Sequence, residues 1–169
     1  MPSRRTALRR VGVATAVGLA GCSVLDRGVD GYVQLKSIFG TPVDGEDRGN
    51  EHVLRVQLAS SPGSEPPDLR QHDDRWTDRF DDPRRPVVSD DLHADLEREY
   101  DDLHYLVGVC SPAWADDDER IGCYNVRTTR ENFNAVQVHQ RVRASSDGTS
   151  LTIHSTDGQW AFDSDEDAT

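Results

Sequence analysis

The sequence predicts an α+β domain, mainly an antiparallel sheet of about six strands arranged as a sandwich or open barrel, with one packed amphipathic helix. Three observations point there. Apolar and polar residues alternate in several short segments separated by Gly, Pro and Asp. One segment alone carries apolar residues at helical spacing. The 169 residues leave room for one modest domain plus appendages.

In chain order, Val29 to Phe39 reads as a first strand, ended by Gly40-Thr41-Pro42. Leu54, Val56 and Leu58 alternate with Arg55 and Gln57, as a half-buried strand does. Residues 45–49 supply the loop between them, so 29–59 form a first β-hairpin. Residues 60–86 hold only Leu69, Trp76 and Phe80 among many Asp, Arg, Ser and Pro. That composition predicts a long polar loop or mobile excursion over 60–88.

A helix follows. Ser89 suits an N-cap, and Asp90 and Asp91 stand where the helix dipole favours anions. Leu92, Leu96, Tyr100 and Leu103 then fall on one helical face. His104 to Cys110 is apolar on both faces, as a central strand would be, and Ile121 to Thr128 is its expected antiparallel partner.

Val136, Val138 and Val142 alternate with Gln137, His139, Arg141 and Arg143. Leu151 and Ile153 alternate with Thr152 and His154. A two-residue turn at Asp147-Gly148 would join these strands. It sets Val142 opposite Ile153, Arg141 opposite His154 and Arg143 opposite Thr152, a register a one-residue slip would spoil. Residues 89–162 thus add a helix and a β-meander to the same domain, and 163–169 form an acidic tail.

Charge narrows the function. There are 31 acidic and 19 basic side chains, net −12, and the bases are all Arg except Lys36. A general nucleic-acid binder needs a basic face, which this composition argues against. No apolar run reaches the roughly 20 residues of a spanning helix.

The first 22 residues read as an address. Arg4, Arg5, Arg9 and Arg10 precede an apolar stretch from Val11 to Ala20, then Gly21 and Cys22. This is the order of a secretory signal, predicted over 1–21. Ser3-Arg4-Arg5-Thr6-Ala7-Leu8-Arg9 resembles the twin-arginine (Tat) export motif, departing at Ala7 where the family usually has Phe. Leu19-Ala20-Gly21-Cys22 resembles the lipobox of exported lipoproteins at every position. The resemblance implies cleavage before Cys22 and its lipidation on sulfur, with 22–28 as anchor and tether. The expected location is the extracytoplasmic face of the cell membrane, with the membrane itself as a partner.

Removing 1–21 removes four Arg and no acid, leaving 15 bases against 31 acids, net −16. Asp over Glu, Arg over Lys and this acidity resemble secreted proteins of halophilic archaea. High salt screens such self-repulsion, the Debye length being about 3 Å at 1 M. In dilute buffer the same charge destabilises the compact state.

With Cys22 assigned to the anchor, Cys110 and Cys123 remain, and outside the cytosol an isolated pair is most simply a disulfide. Opposing them sets Val109 against Tyr124 and Val107 against Val126, so pattern and cysteines agree on one register. A redox-active pair is the poorer reading, since the sequence has no C-x-x-C.

Chemical motifs are sparse. There is no G-x-S-x-G, H-E-x-x-H, G-x-x-x-x-G-K-[ST] or G-x-G-x-x-G. Asp73–Asp82 and Asp163–Asp167 are rich in carboxylates, but lack the glycine turn and distal Glu of an EF-hand and read as solvated acidic surface. No two of the six histidines stand at i, i+4, and no metal or cofactor is expected. Trp114 and Trp160 read as core caps. The remaining feature is a reversal of charge. His139, Arg141, Arg143 and His154 are expected on one sheet face, a candidate strip for an anion or a partner, or else the Arg half of surface ion pairs. The sequence therefore points to a non-enzymatic, membrane-anchored lipoprotein that binds a protein partner or anionic ligand or supports a complex. A small ligand- or metal-binding domain is the alternative, and an extracytoplasmic hydrolase comes third.

Overall fold

The computed structural model describes residues 28–44 and 49–162. The signal with Arg4 and Arg5, the lipobox with Cys22, most of the first hairpin loop and the tail at 163–169 lie outside the described residues.

Among the described residues, seven strands form one open, antiparallel sheet. They are β1 (Val29–Pro42), β2 (Glu51–Gln57), β3 (Asp68–His72), β4 (Tyr100–Ser111), β5 (Gly122–Thr128), β6 (Gln140–Ser146) and β7 (Leu151–Gln159). Three helices accompany them: α1 (Asp74–Thr77), α2 (Asp90–Glu99) and α3 (Arg130–Ala135). The path β3-β2-β1-β4-β5 runs through the sheet, and β6 joins β1 with β7 outside it.

The long strand β1 organises this arrangement. One edge pairs with β4, from Tyr32 opposite Cys110 to Pro42 opposite Tyr100. The other edge changes partner midway, Val29–Tyr32 pairing with β6 and Leu35–Gly40 with β2. At the fork, the carbonyls of Val33 and Gln34 accept the N–H groups of His139 and Leu58, each at 2.9 Å. Buried polar backbone groups need partners, so these two bonds let one strand serve two neighbours. Gly31 is required here, because a Cβ would collide with the Cys110 carbonyl.

By register, Lys36, Ile38, Leu54, Val56, Tyr105 and Val107 share one face, and α2 and α3 pack on β4. Leu92, Leu96 and Phe133 from these helices join the buried cluster, with Trp76 and Phe80 from the polar segment. Helix α2 starts as expected, Ser89 Oγ accepting the Leu92 N–H at 3.2 Å. It ends one turn early. Tyr100 has extended backbone and begins β4, so Tyr100 and Leu103 are strand residues that share helical spacing with Leu92 and Leu96 by coincidence.

The β4–β5 register is as the sequence predicts. Cys110 faces Cys123, Val109 faces Tyr124 and Val107 faces Val126. The two cysteines are joined, with Cα atoms 4.1 Å apart, which fits the narrower kind of antiparallel pair.

Two expectations are corrected. Residues 60–88 do not form a featureless loop: they contain β3, paired with β2, and α1. Arg75 binds Asp73 at 2.7 Å and Glu99 at 2.9 Å, and Arg79 binds Asp95 at 2.7 Å. The pairs with Glu99 and Asp95 join the segment to α2, while Trp76 Nε1 donates to Tyr100 Oη at 3.2 Å. The Arg75 guanidinium, through its hydrogen bonds, holds the Asp73 carboxyl below its ordinary range.

The β6–β7 hairpin also differs. Asp147 Oδ1 accepts the N–H groups of Thr149 at 2.9 Å and Ser150 at 2.7 Å. This Asx-type turn makes a four-residue loop, with Ser146 opposite Leu151. Ala144 therefore faces Ile153, and past a bulge Val142 faces Thr156, Arg141 faces Asp157 and Arg143 faces Ser155. Val136 and Val138 are buried, but precede β6 in a turn after α3.

Candidate functional site

The predicted strip is not one surface. His139 sits in the turn before β6 with φ +73° and is only 2% exposed. Its N–H serves Val33, its carbonyl accepts the Trp160 N–H at 2.9 Å, and its Nε2 accepts the Ala59 N–H at 3.3 Å. Burial lowers its pKa, keeping it a neutral acceptor. His139 is thus a buried clasp at the fork of the sheet, whereas Arg141 and His154 are exposed and Arg143 half-buried.

Those three remain on β6 and β7, engaged with neighbours. Arg141 lies 3.3 Å from Asp30 and over the Trp160 ring at 5.9 Å. His154 Nε2 meets Ser145 Oγ at 2.9 Å. Arg143 and His154 both crowd Gly28, where a Cβ would come within 3.0 Å of each. Trp160 packs on Tyr32 at 5.5 Å and Trp114 on Tyr124 at 5.2 Å, both half-buried caps.

Serine–histidine contacts occur twice, at Ser145–His154 and at Ser37 Oγ–His52 Nδ1, 3.1 Å. Among the described residues no carboxylate is paired with either imidazole; the His–acid pairs are His72–Asp74 and His93–Glu97. Ser37 is buried and its hydroxyl donates to the Leu54 carbonyl at 3.3 Å. Neither contact has the oriented base that nucleophile activation requires. Among the described residues no three His, Cys, Asp or Glu side chains are gathered where they could hold a metal ion, and no helix is long and apolar enough to cross a membrane.

Two residues stand out that the sequence reading did not single out as a site. Lys36 is fully buried under the helices. Its Nζ donates to the carbonyls of Pro86 and Val136, each at 2.7 Å, and to Gln137 Oε1 at 3.1 Å, and it lies 4.1 Å from the Phe133 ring centre. Burial pushes its pKa well below the ordinary value, yet three acceptors match the three donors of an ammonium. All its hydrogen-bonding capacity is spent inside the fold. Its being the single Lys among 18 Arg was the signal available in sequence.

The second is Arg85. A two-lobed cleft lies between the turns at 63–67 and 82–85, the turn at 137–140 and the end of β7. One lobe, about 280 Å³, is lined by Glu65, Asp82, Arg84, Arg85 and His139 among others. The other, about 320 Å³, is lined by Pro67, Arg85, Gln137, Val138, Gln140, Gly158 and Gln159. Pro67, Arg85 and Gln159 belong to both. Arg84 is tied down, donating to the Pro67 carbonyl at 2.6 Å. The guanidinium of Arg85 has no hydrogen-bond or ion-pair partner among the described residues. Arg70, Arg75, Arg79, Arg98, Arg130 and Arg141 each pair with a carboxylate, whereas Arg85, exposed in the cleft, has none among the described residues. Comparison with known proteins places nothing beside this chain: no family model, no curated protein and no solved structure matches it.

Proposed function

We propose that the chain is an exported lipoprotein, tethered by a lipidated Cys22 to the extracytoplasmic face of the membrane, whose folded body is a non-enzymatic binding domain. The twin-arginine and lipobox resemblances support the tether, and the Cys110–Cys123 link suits an oxidising compartment. Binding is favoured over catalysis by one observation. Lys36 and His139 Nε2 hold structural hydrogen bonds, and the cleft carboxylates Glu65 and Asp82 accept the backbone N–H groups of Ser61 and Arg84, while the open cleft presents the unpaired guanidinium of Arg85. A site that recognises needs donors held open, whereas general acid–base chemistry needs a titratable group within reach of a reacting atom.

The tether is tested by Cys22→Ser expressed in the native host at high salt. The variant is expected in the medium or unprocessed, and membrane retention equal to wild type refutes the anchor.

A further inference from the structure

We propose that the Arg85 lobe of the cleft is a carboxylate-binding site, with Arg85 as its anchor and Gln140 and Gln159 as flanking donors. The inference deepens the binding reading and rests on it, but does not depend on the lipid anchor.

Three features select the ligand. First, Arg85 is the only charged side chain lining the larger lobe among the described residues, so one positive charge awaits one negative charge. A guanidinium offers two parallel N–H donors, the spacing a planar carboxylate accepts. A phosphate dianion would ask for a second cation, and the adjoining lobe supplies Glu65 and Asp82 beside an Arg84 already spent on Pro67.

Second, the remaining wall is made of amides. Gln140 Oε1 is occupied by the Gln137 N–H at 2.9 Å, which leaves its Nε2 as the available donor. Gln159, opposite Gln140 on the edge strand β7, has no side-chain partner among the described residues. Amide donors beside a guanidinium suit a ligand carrying hydrogen-bond acceptors next to its acid. Pro67 and Val138 supply a short apolar wall for its carbon frame.

Third, the floor is rigid. Gln137 is fixed by Lys36 from behind, and the turn that carries Gln137, Val138 and His139 is bonded to β1 and to Ala59. A preorganised wall lowers the ordering cost of binding.

The carboxylate can come from a free organic acid or from an acidic peptide side chain. Amide shifts of the ¹⁵N-labelled full-length protein, at constant high NaCl, would be followed during titration with citrate, with acetyl-Gly-Glu-Gly-amide and with inorganic phosphate. Saturable shifts at Arg85, Gln140, Gly158 and Gln159 are expected with a carboxylate, and the probe saturating at lower concentration names the source. In Arg85→Gln the affinity should fall roughly tenfold to a hundredfold, the worth of one charge-assisted contact, with amides around Lys36 and Phe133 unmoved. Lack of saturation with either carboxylate, shifts that persist in Arg85→Gln, or tighter binding of phosphate would each overturn the site. Capture from high-salt membranes by wild type and Arg85→Gln separates the two levels. A partner held equally by both removes the Arg85 site while leaving the binding function, and absence of any specific partner or carboxylate ligand removes both.

Discussion

Replacing Lys36 with Met tests whether a buried ammonium can stabilise this fold through its acceptors. Met keeps the apolar stem and its volume, so the change isolates the charged head. The Pro86 carbonyl would retain the Gln137 Nε2 donor at 3.4 Å, but the Val136 carbonyl would lose its side-chain donor inside the core. A buried acceptor stripped of its partner costs about 1–3 kcal/mol, and the ring contact with Phe133 adds up to about 2 kcal/mol when desolvated. Opposing this, the variant no longer has to dehydrate an ion, a term of several kcal/mol that its hydrogen bonds repay only when geometry is good. Because the three acceptors stand at 2.7, 2.7 and 3.1 Å, repayment should be nearly complete. The net loss expected is about 2 kcal/mol. Urea unfolding at fixed high salt, read by tryptophan fluorescence, measures it, and amide exchange at Val88 and Gln137 should quicken. Lys36→Arg should fail similarly, since a planar fork cannot aim its donors as one tetrahedral nitrogen does. Wild-type or higher stability of Lys36→Met would refute the reasoning and class Lys36 with buried ions that hydrophobic residues replace without loss.

Two further outcomes follow from the geometry. Reduction, or the double change Cys110→Ser with Cys123→Ser, should cost about 3 kcal/mol of unfolding free energy, the loop-closure value for a link of this span; it would appear as a lower melting temperature in the presence of reductant, and an unchanged melt would contradict it. Acidification should loosen the fork at His139, where burial holds the folded pKa below the unfolded value of about 6.5. The unfolded chain then takes up the proton first, so this stability is full above about pH 6.5 and is lost as pH falls through the folded value. The urea midpoint should fall between pH 7 and pH 5, and fall less in His139→Gln, whose Oε1 can accept the same Ala59 N–H; equal slopes would absolve His139.

Much of the fold was readable because its signals were local and redundant. The β4–β5 register was fixed twice over, by the apolar alternation and by the opposed cysteines, so neither alone had to be trusted. The β6–β7 register rested on Asp147-Gly148, and there the carboxylate of Asp147 chose a wider loop by capturing the Thr149 and Ser150 N–H groups. Helix α3 has six residues and a single buried side chain, Phe133, too short to display a period. The order of 60–88 comes from β3 pairing with β2 and from Trp76 and Phe80 entering the core, with Arg75 and Arg79 reaching Glu99 and Asp95 at the surface, contacts remote in sequence that composition alone reads as disorder. The site was less legible still. His139 looked like a strand residue because Val136 and Val138 alternate around it, and a positive φ leaves no mark on such a pattern. Arg85 is one Arg of many in sequence, and only the fold places it in a cleft without a paired carboxylate among the described residues.

The shared edge of β1 also governs how the chain reaches this structure. Tyr32 pairs with Arg141 and Val29 with Ala144, so the strand that leaves the ribosome early must wait for nearly the last of the domain before that edge is covered. Topologies dominated by such distant pairings fold in milliseconds to seconds. During that wait the edge from Val29 to Tyr32 stays unpaired, an open ribbon of the kind that nucleates aggregation. The abundance of Asp across the remainder of the chain then acts on the nascent state as well as the finished one, since unfinished copies bearing the same sign repel before their ribbons can meet.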